Sequence, residues 1–133
     1  MAGTQHPTAP TPTKIDLGAA LASCTGHWKP RIVGALNGQE VKVAKLLGEF
    51  VWHRHDDTDE LFLVMHGRLR IELHERTIVL DPGQAVIVPR GVEHRPIADE
   101  EVHVLLFETA GTINTGDAGG PLTVDKPERF TTA

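Results

Sequence analysis

Between Arg31 and Glu108 apolar and polar residues alternate over short runs, and turn-forming residues separate the runs. The runs are RIVGAL, EVKVAKLL, FVWHRH, ELFLVMH, RLRIELH, RTIVL, QAVIV, HRPI and EVHVLLFE. A period of two places alternate side chains on one face, so each run predicts a β-strand. RLRIELH sets Leu69, Ile71 and Leu73 on one face. ELFLVMH is apolar on both faces, as expected of a strand covered on both sides or lying in an interface. Asn37-Gly38 is a type I′ hairpin signal, and Asp81-Pro82-Gly83 marks another turn. Ahead of the strands, KIDLGAALASC has helical spacing at Ile15, Ala19 and Ala22 and at Leu17 and Leu21, with Asp16 as a cap. Its apolar face is expected to cover one side of the strands.

Four parts follow from this pattern. Residues 1–13 contain three prolines and almost nothing apolar, which predicts a disordered tail. Residues 14–30 hold the short helical segment, and residues 31–109 form one strand-rich barrel. Residues 110–133 begin AGTINTGDAGGPLT, which predicts a surface loop or an arm packed over the barrel. No repeat or second domain is evident.

Composition narrows the partners. A chain of 133 residues makes one core, and its net charge of −5 disfavours nucleic acid or an anionic membrane as partner. The single cysteine, Cys24, allows no internal disulfide, and no base lies beside it in sequence to make it a nucleophile. No apolar run has the length of a membrane span, and no secretion signal is present, so a cytoplasmic protein without a membrane partner is expected.

The candidate chemistry lies in His53, His55, Glu60 and His94. His53 and His55 point to one face of an extended segment. The polar run Asp56, Asp57, Thr58, Asp59 can reverse the chain and set Glu60 opposite them. His94 follows VIVPRGVE and completes the set if the sheet curls back on itself. Three imidazoles and one carboxylate can hold one divalent transition metal and leave positions open for a ligand. Phe62 and Val64 share the parity of Glu60, and Val51 and Val92 lie beside His53 and His94, so these four are expected to line the pocket. Trp52 is expected to face outward. His27, His66, His74 and His103 read as ordinary histidines, and Arg90, Glu93 and Arg95 as rim charges.

Two spaced motifs carry a family resemblance. His53, His55, then Glu60 after four residues and Gly67 after six more, is similar to the first cupin motif. Gly83, Pro89, Gly91 and His94 fall at the intervals of the second. Gly48 lies one residue closer to His53 than usual, and Ala98 stands where the pattern ends in asparagine. Neither departure touches a ligand.

The resemblance implies an all-β, double-stranded β-helix (jelly-roll) barrel with a short helix in front. It also implies a centre that takes Mn, Fe, Ni, Cu, Co or Zn. Cupins that this chain resembles act as dioxygenases, oxidases, decarboxylases and isomerases, and short members are often labelled as similar to mannose-6-phosphate isomerase. The expectation is a metalloenzyme that turns over a small polar organic molecule, with oxygen-dependent chemistry and Glu60 as ligand and proton acceptor. An isomerase or lyase using the metal as Lewis acid is the alternative, and a non-catalytic small-ligand-binding module is the other. The outward Leu61, Leu63 and Met65, with Trp52, make an apolar patch expected to be covered either by the segment around Ile15 to Leu21 or by a second subunit. The resemblance favours a homodimer formed on the outer face.

Overall fold

The computed structural model describes residues 11–131. The expected tail falls outside the described residues as far as residue 10, and Thr11, Pro12 and Thr13 are exposed and in neither helix nor strand. The strands are β1 (Arg31–Leu36), β2 (Gln39–Glu49), β3 (Glu60–His66), β4 (Leu69–Glu72), β5 (Thr77–Leu80), β6 (Ala85–Val88), β7 (Arg95–Thr109) and β8 (Glu128–Arg129). One short helix, α1 (Leu17–Ala22), precedes them. None of the described helices is long and apolar enough to cross a membrane.

β1 and β2 form the predicted hairpin. Asn37 and Gly38 both adopt positive φ, 52° and 78°, as a type I′ turn requires, and Leu36 pairs with Gln39. β7 then joins both walls of the barrel. Its first residues pair with β4, its later residues pair with β3, and β2 runs antiparallel alongside it. β6 closes on β3 and β5 on β4. The result is a jelly-roll barrel, all-β apart from α1.

Alternation decides which side chains go in. Along β3, Glu60, Phe62 and Val64 are buried while Leu61, Leu63 and Met65 are half-buried. Along β7, Val102, Val104, Leu106 and Glu108 are buried. The inner core joins Leu46, Phe62, Val64, Leu69, Ile71 and Val104. A second cluster lies outside the barrel, where Ala20 and Leu21 of α1 pack on Val33 and Val43, with Met65 and Phe130 at its edge. The Asp16 carboxylate caps α1 by accepting the Ala19 N–H at 2.9 Å.

Several elements differ from the sequence reading. FVWHRH is extended but is not a ladder strand. It makes one isolated bridge, between His53 and His94. HRPI and EVHVLLFE are one strand, because β7 continues through Asp99 and Glu100 as it passes from one wall to the other. The C-terminal segment contributes β8, parallel to β1, and the Phe130 N–H donates to the Ile32 carbonyl at 2.9 Å. Trp52 is half-buried under groups of its own chain. His74 stacks on its ring at 4.5 Å, and the Arg95 guanidinium lies 5.4 Å from the ring centroid.

Candidate metal centre

Three backbone devices bring the four residues together. The first is the bridge, in which the His53 N–H donates to the His94 carbonyl at 3.0 Å and the His94 N–H donates to the His53 carbonyl at 2.9 Å. The second is the turn after β6, where the Gly91 N–H donates to the His55 carbonyl at 2.8 Å. The third is the acidic turn. The Asp59 carboxylate accepts the Arg90 N–H at 2.9 Å, which ties the residue before Glu60 to the turn before His94.

His53, His55, Glu60 and His94 offer ligand atoms that all lie within 4.8 Å of one another. All four side chains are buried. His55 Nε2 is 3.3 Å and His94 Nε2 3.4 Å from Glu60 Oε1. These three atoms make no hydrogen bond despite burial, and buried polar atoms without partners are costly in a native fold. A divalent cation among them would satisfy all three, so the donor set fits a metal. Carbonyl oxygens set the ring orientations. His53 Nδ1–H donates to the Val51 carbonyl at 2.9 Å and His94 Nδ1–H to the Val92 carbonyl at 3.0 Å, which leaves each Nε2 lone pair free for the centre.

The electrostatics agree with this role. Burial, helped by neighbouring His94, pushes the His53 imidazole down to about 4, so it is neutral at physiological pH. Burial alone would raise the Glu60 carboxyl, but the close approach of the His55 and His94 imidazoles outweighs it and holds Glu60 below the usual carboxylate range.

A cavity of about 30 Å³ opens beside the centre. It has room for about two water molecules. His53, Glu60 and Phe62 line it, with Trp28, Phe50 and Leu106. Of the expected lining residues only Phe62 reaches it. Val64 is fully buried in the core below, and Val51 and Val92 pack against that core from its edge. What these two valines give the site is a carbonyl oxygen. A polar groove of about 380 Å³ lies on the other side of His55, between Asp56–Thr58 and the segment after β7.

Sequence reasoning missed Glu108, which lines the cavity. Its Oε1 is 3.3 Å from Lys42 Nζ, and its Oε2 is buried without a hydrogen bond. Both side chains are 2 % exposed. The Lys42 contact favours the carboxylate anion. Burial first, and then the negative charge of Glu60, outweigh it and push Glu108 well up. A signal existed in the strand parity. Glu40 and Lys42 share the face of Ala44 and Leu46, and Glu108 shares the face of Val104 and Leu106. His66, His74 and His103 stay out of the centre, and His27 and His103 instead flank Glu101 at 2.9 and 3.0 Å.

Protons compete with a metal for imidazoles, so affinity should fall as pH drops below about 6.5. His53, already pushed down to about 4, binds no proton until near that pH. Between pH about 6.5 and about 4.5 metal uptake should therefore release at most two histidine protons rather than three. Calorimetry in buffers of different ionisation enthalpy counts them, and a release of three would contradict the neutral His53.

The cupin domain family model matches residues 39–108. A cupin-2 domain containing protein from Shewanella frigidimarina, known by crystal structure, is 40% identical, with a TM-score of 0.70 over 71% of this chain and 93% of that one. Protein NMB1881 from Neisseria meningitidis is 26% identical, with a TM-score of 0.68 over 74% of this chain and 100% of that one. The uncharacterized protein YdbB of Bacillus subtilis is 38% identical over 64 residues, 47% of this chain, which spans 57% of YdbB's length. With the family model covering more than half of the sequence and both motifs meeting at one buried centre, the chain belongs to the cupin family.

Proposed function

We propose that the chain is a metal-dependent enzyme acting on a small polar organic molecule by oxygen-dependent chemistry. The observation that carries this reading is the meeting of the buried His53, His55, Glu60 and His94 set with a second carboxyl, Glu108, at one small cavity. A bound divalent metal would supply Lewis acidity and, where redox-active, oxygen chemistry, with about two open positions beyond four protein ligands. The chain's own residues do the rest. Trp28, Phe50, Phe62 and Leu106 keep bulk water from the cavity, which strengthens every charge interaction inside it. Glu108, held in place by Lys42, can give a proton to a substrate oxygen through its unpartnered Oε2. Glu60 is both a ligand and a proton acceptor. The groove beside His55 has the volume for the body of a small ligand.

Glu108 also favours a second reading, an isomerase or lyase, since proton transfer next to a Lewis acid needs no oxidant. Oxygen uptake with small hydroxy- and keto-compounds, after metal reconstitution, separates the two. Turnover that consumes oxygen and falls by about 10²-fold or more in Glu108→Gln supports the oxygenase reading. Substrate loss without oxygen uptake supports the isomerase or lyase, and binding without turnover would leave a ligand-binding module.

The same proposal includes a homodimer built on the outer face of β3. Ile87 is 60% exposed there and lines a groove with Leu61 and Phe107, while Met65 is covered by the α1 cluster. Light scattering that finds a monomer at micromolar concentration would remove the dimer.

A further inference from the structure

We infer that the C-terminal arm is a working part of the metal centre, with Gly116 and Asp117 as positioning residues that hold His55 in place. The inference rests on the metal reading of the site. The arm lies wholly outside residues 39–108, the stretch that matches the family model.

The arm is built to a fixed shape. The Gly116 N–H donates to the Ile113 carbonyl at 2.9 Å, and the Ala118 N–H donates to the Thr115 carbonyl at 3.0 Å. The Asn114 amide spans the arm, donating to the Leu122 carbonyl at 3.0 Å and accepting from the Val124 N–H at 2.8 Å. Thr115 is fully buried, and its hydroxyl meets that of Thr123 at 2.6 Å. The arm therefore presents a defined edge.

That edge clamps the residue between the two histidines. The Asp117 N–H donates to the Arg54 carbonyl at 3.1 Å, and the Arg54 N–H donates to Asp117 Oδ1 at 2.8 Å. The Arg54 guanidinium also reaches Asp117 Oδ2 at 3.2 Å. Gly116 sits against the same peptide so closely that a Cβ there would lie 2.1 Å from the Arg54 carbonyl oxygen and 3.2 Å from His55 Nδ1. Its φ of 54° adds to the demand for glycine.

His55 needs such a clamp. His53 and His94 are each oriented by a carbonyl that accepts from Nδ1, and His55 Nδ1 has no such bond among the described residues. Its ring lies edge-on to that of His53, 5.0 Å between centroids. Its backbone position is set by the Arg54 segment that the arm clamps, with no room for a Cβ at Gly116 beside it. Groups that orient a ligand without touching the metal commonly change its affinity by about 10–100-fold.

The test compares Gly116→Ala with Gly119→Ala, since Gly119 also has positive φ, 63°, but a Cβ there would meet nothing within 4 Å. Zinc affinity is read by chelator competition, and amide hydrogen exchange is read at Arg54 in the metal-free chain. Gly116→Ala should weaken zinc binding by about tenfold or more and speed exchange at Arg54, and Gly119→Ala should do neither. Asp117→Ala should act in the same direction, with partial rescue by Asp117→Asn, which keeps an acceptor for the Arg54 N–H. Wild-type zinc affinity in Gly116→Ala, or an equal loss in Gly119→Ala, would overturn the inference. If Gly116→Ala fails to fold, wild-type affinity and exchange in Asp117→Ala would overturn it instead. Failure of the wild type to bind zinc would remove the metal reading, and the exchange at Arg54 would still decide whether the arm holds the histidine segment.

Discussion

Replacing Lys42 with methionine should destabilise the protein by about 3–5 kcal/mol, the usual cost of removing one partner from a buried ion pair. Lys42 is the cation for two inward carboxyls, Glu108 at 3.3 Å and Glu40 at 3.8 Å. Methionine keeps most of the volume, so the loss reports charge rather than a cavity. Arg129 reaches Glu40 at 3.6 Å from the surface, so Glu108 is left with less compensation than Glu40. The loss should depend on pH. Burial and Glu60 raise Glu108 in the folded chain above its unfolded value. Its contribution is therefore fully present below the unfolded pKa and is lost as pH rises towards the folded one. Glu108 keeps its proton in the folded chain up to a pH of about 9. The Lys42→Met penalty should accordingly be nearly the same at pH about 5 and pH about 8 and should grow only as pH rises past about 9, and a second change, Glu108→Gln, should recover part of it. Urea unfolding of the single and double variants checks both points. A penalty below about 1 kcal/mol would place the pair in the class of solvated surface bridges.

The larger functional effect belongs to the ligands. His53→Ala and His94→Ala should each abolish stoichiometric metal binding. Each removes one donor from a set of four and leaves the backbone bridge between His53 and His94 in place, so the loss reports the imidazole itself. The affinity loss should exceed the roughly 10–100-fold typical of residues that only orient a ligand. His74→Ala, at an exposed imidazole stacked on Trp52, serves as control and should bind metal as the wild type does. Metal analysis after gel filtration reads the outcome. Full occupancy in both ligand variants would mean that the metal is held elsewhere.

Much of this site was legible because its residues carry their chemistry at fixed intervals. The alternation of β3 was enough to put Glu60 and Phe62 inside and Leu61 and Leu63 outside. The type I′ signal at Asn37-Gly38 was equally local and equally readable. FVWHRH misled because alternation reports which way side chains point, not whether a neighbouring ladder exists, and here only the His53–His94 bridge forms. Asp99 and Glu100 looked like a break, yet they are exposed positions on a strand that turns from one wall to the other. Glu108 and Lys42 sat on readable inward positions, but a buried charge makes sense only with its partner, 66 residues away in sequence. Gly116 carried no local signal at all. Its constraint comes from Arg54 and His55, and only the folded chain brings them together.

The central claim is one metal held by three imidazoles and one carboxylate. X-ray absorption at the metal edge, on protein whose metal-to-chain ratio has been measured, tests it most directly. The expected result is one metal per chain, with imidazole multiple-scattering that fits three histidines and a short shell of nitrogen and oxygen at about 2.0–2.2 Å. A chain that takes up no metal under saturating conditions, or a bound metal whose spectrum lacks the imidazole signature, would contradict it.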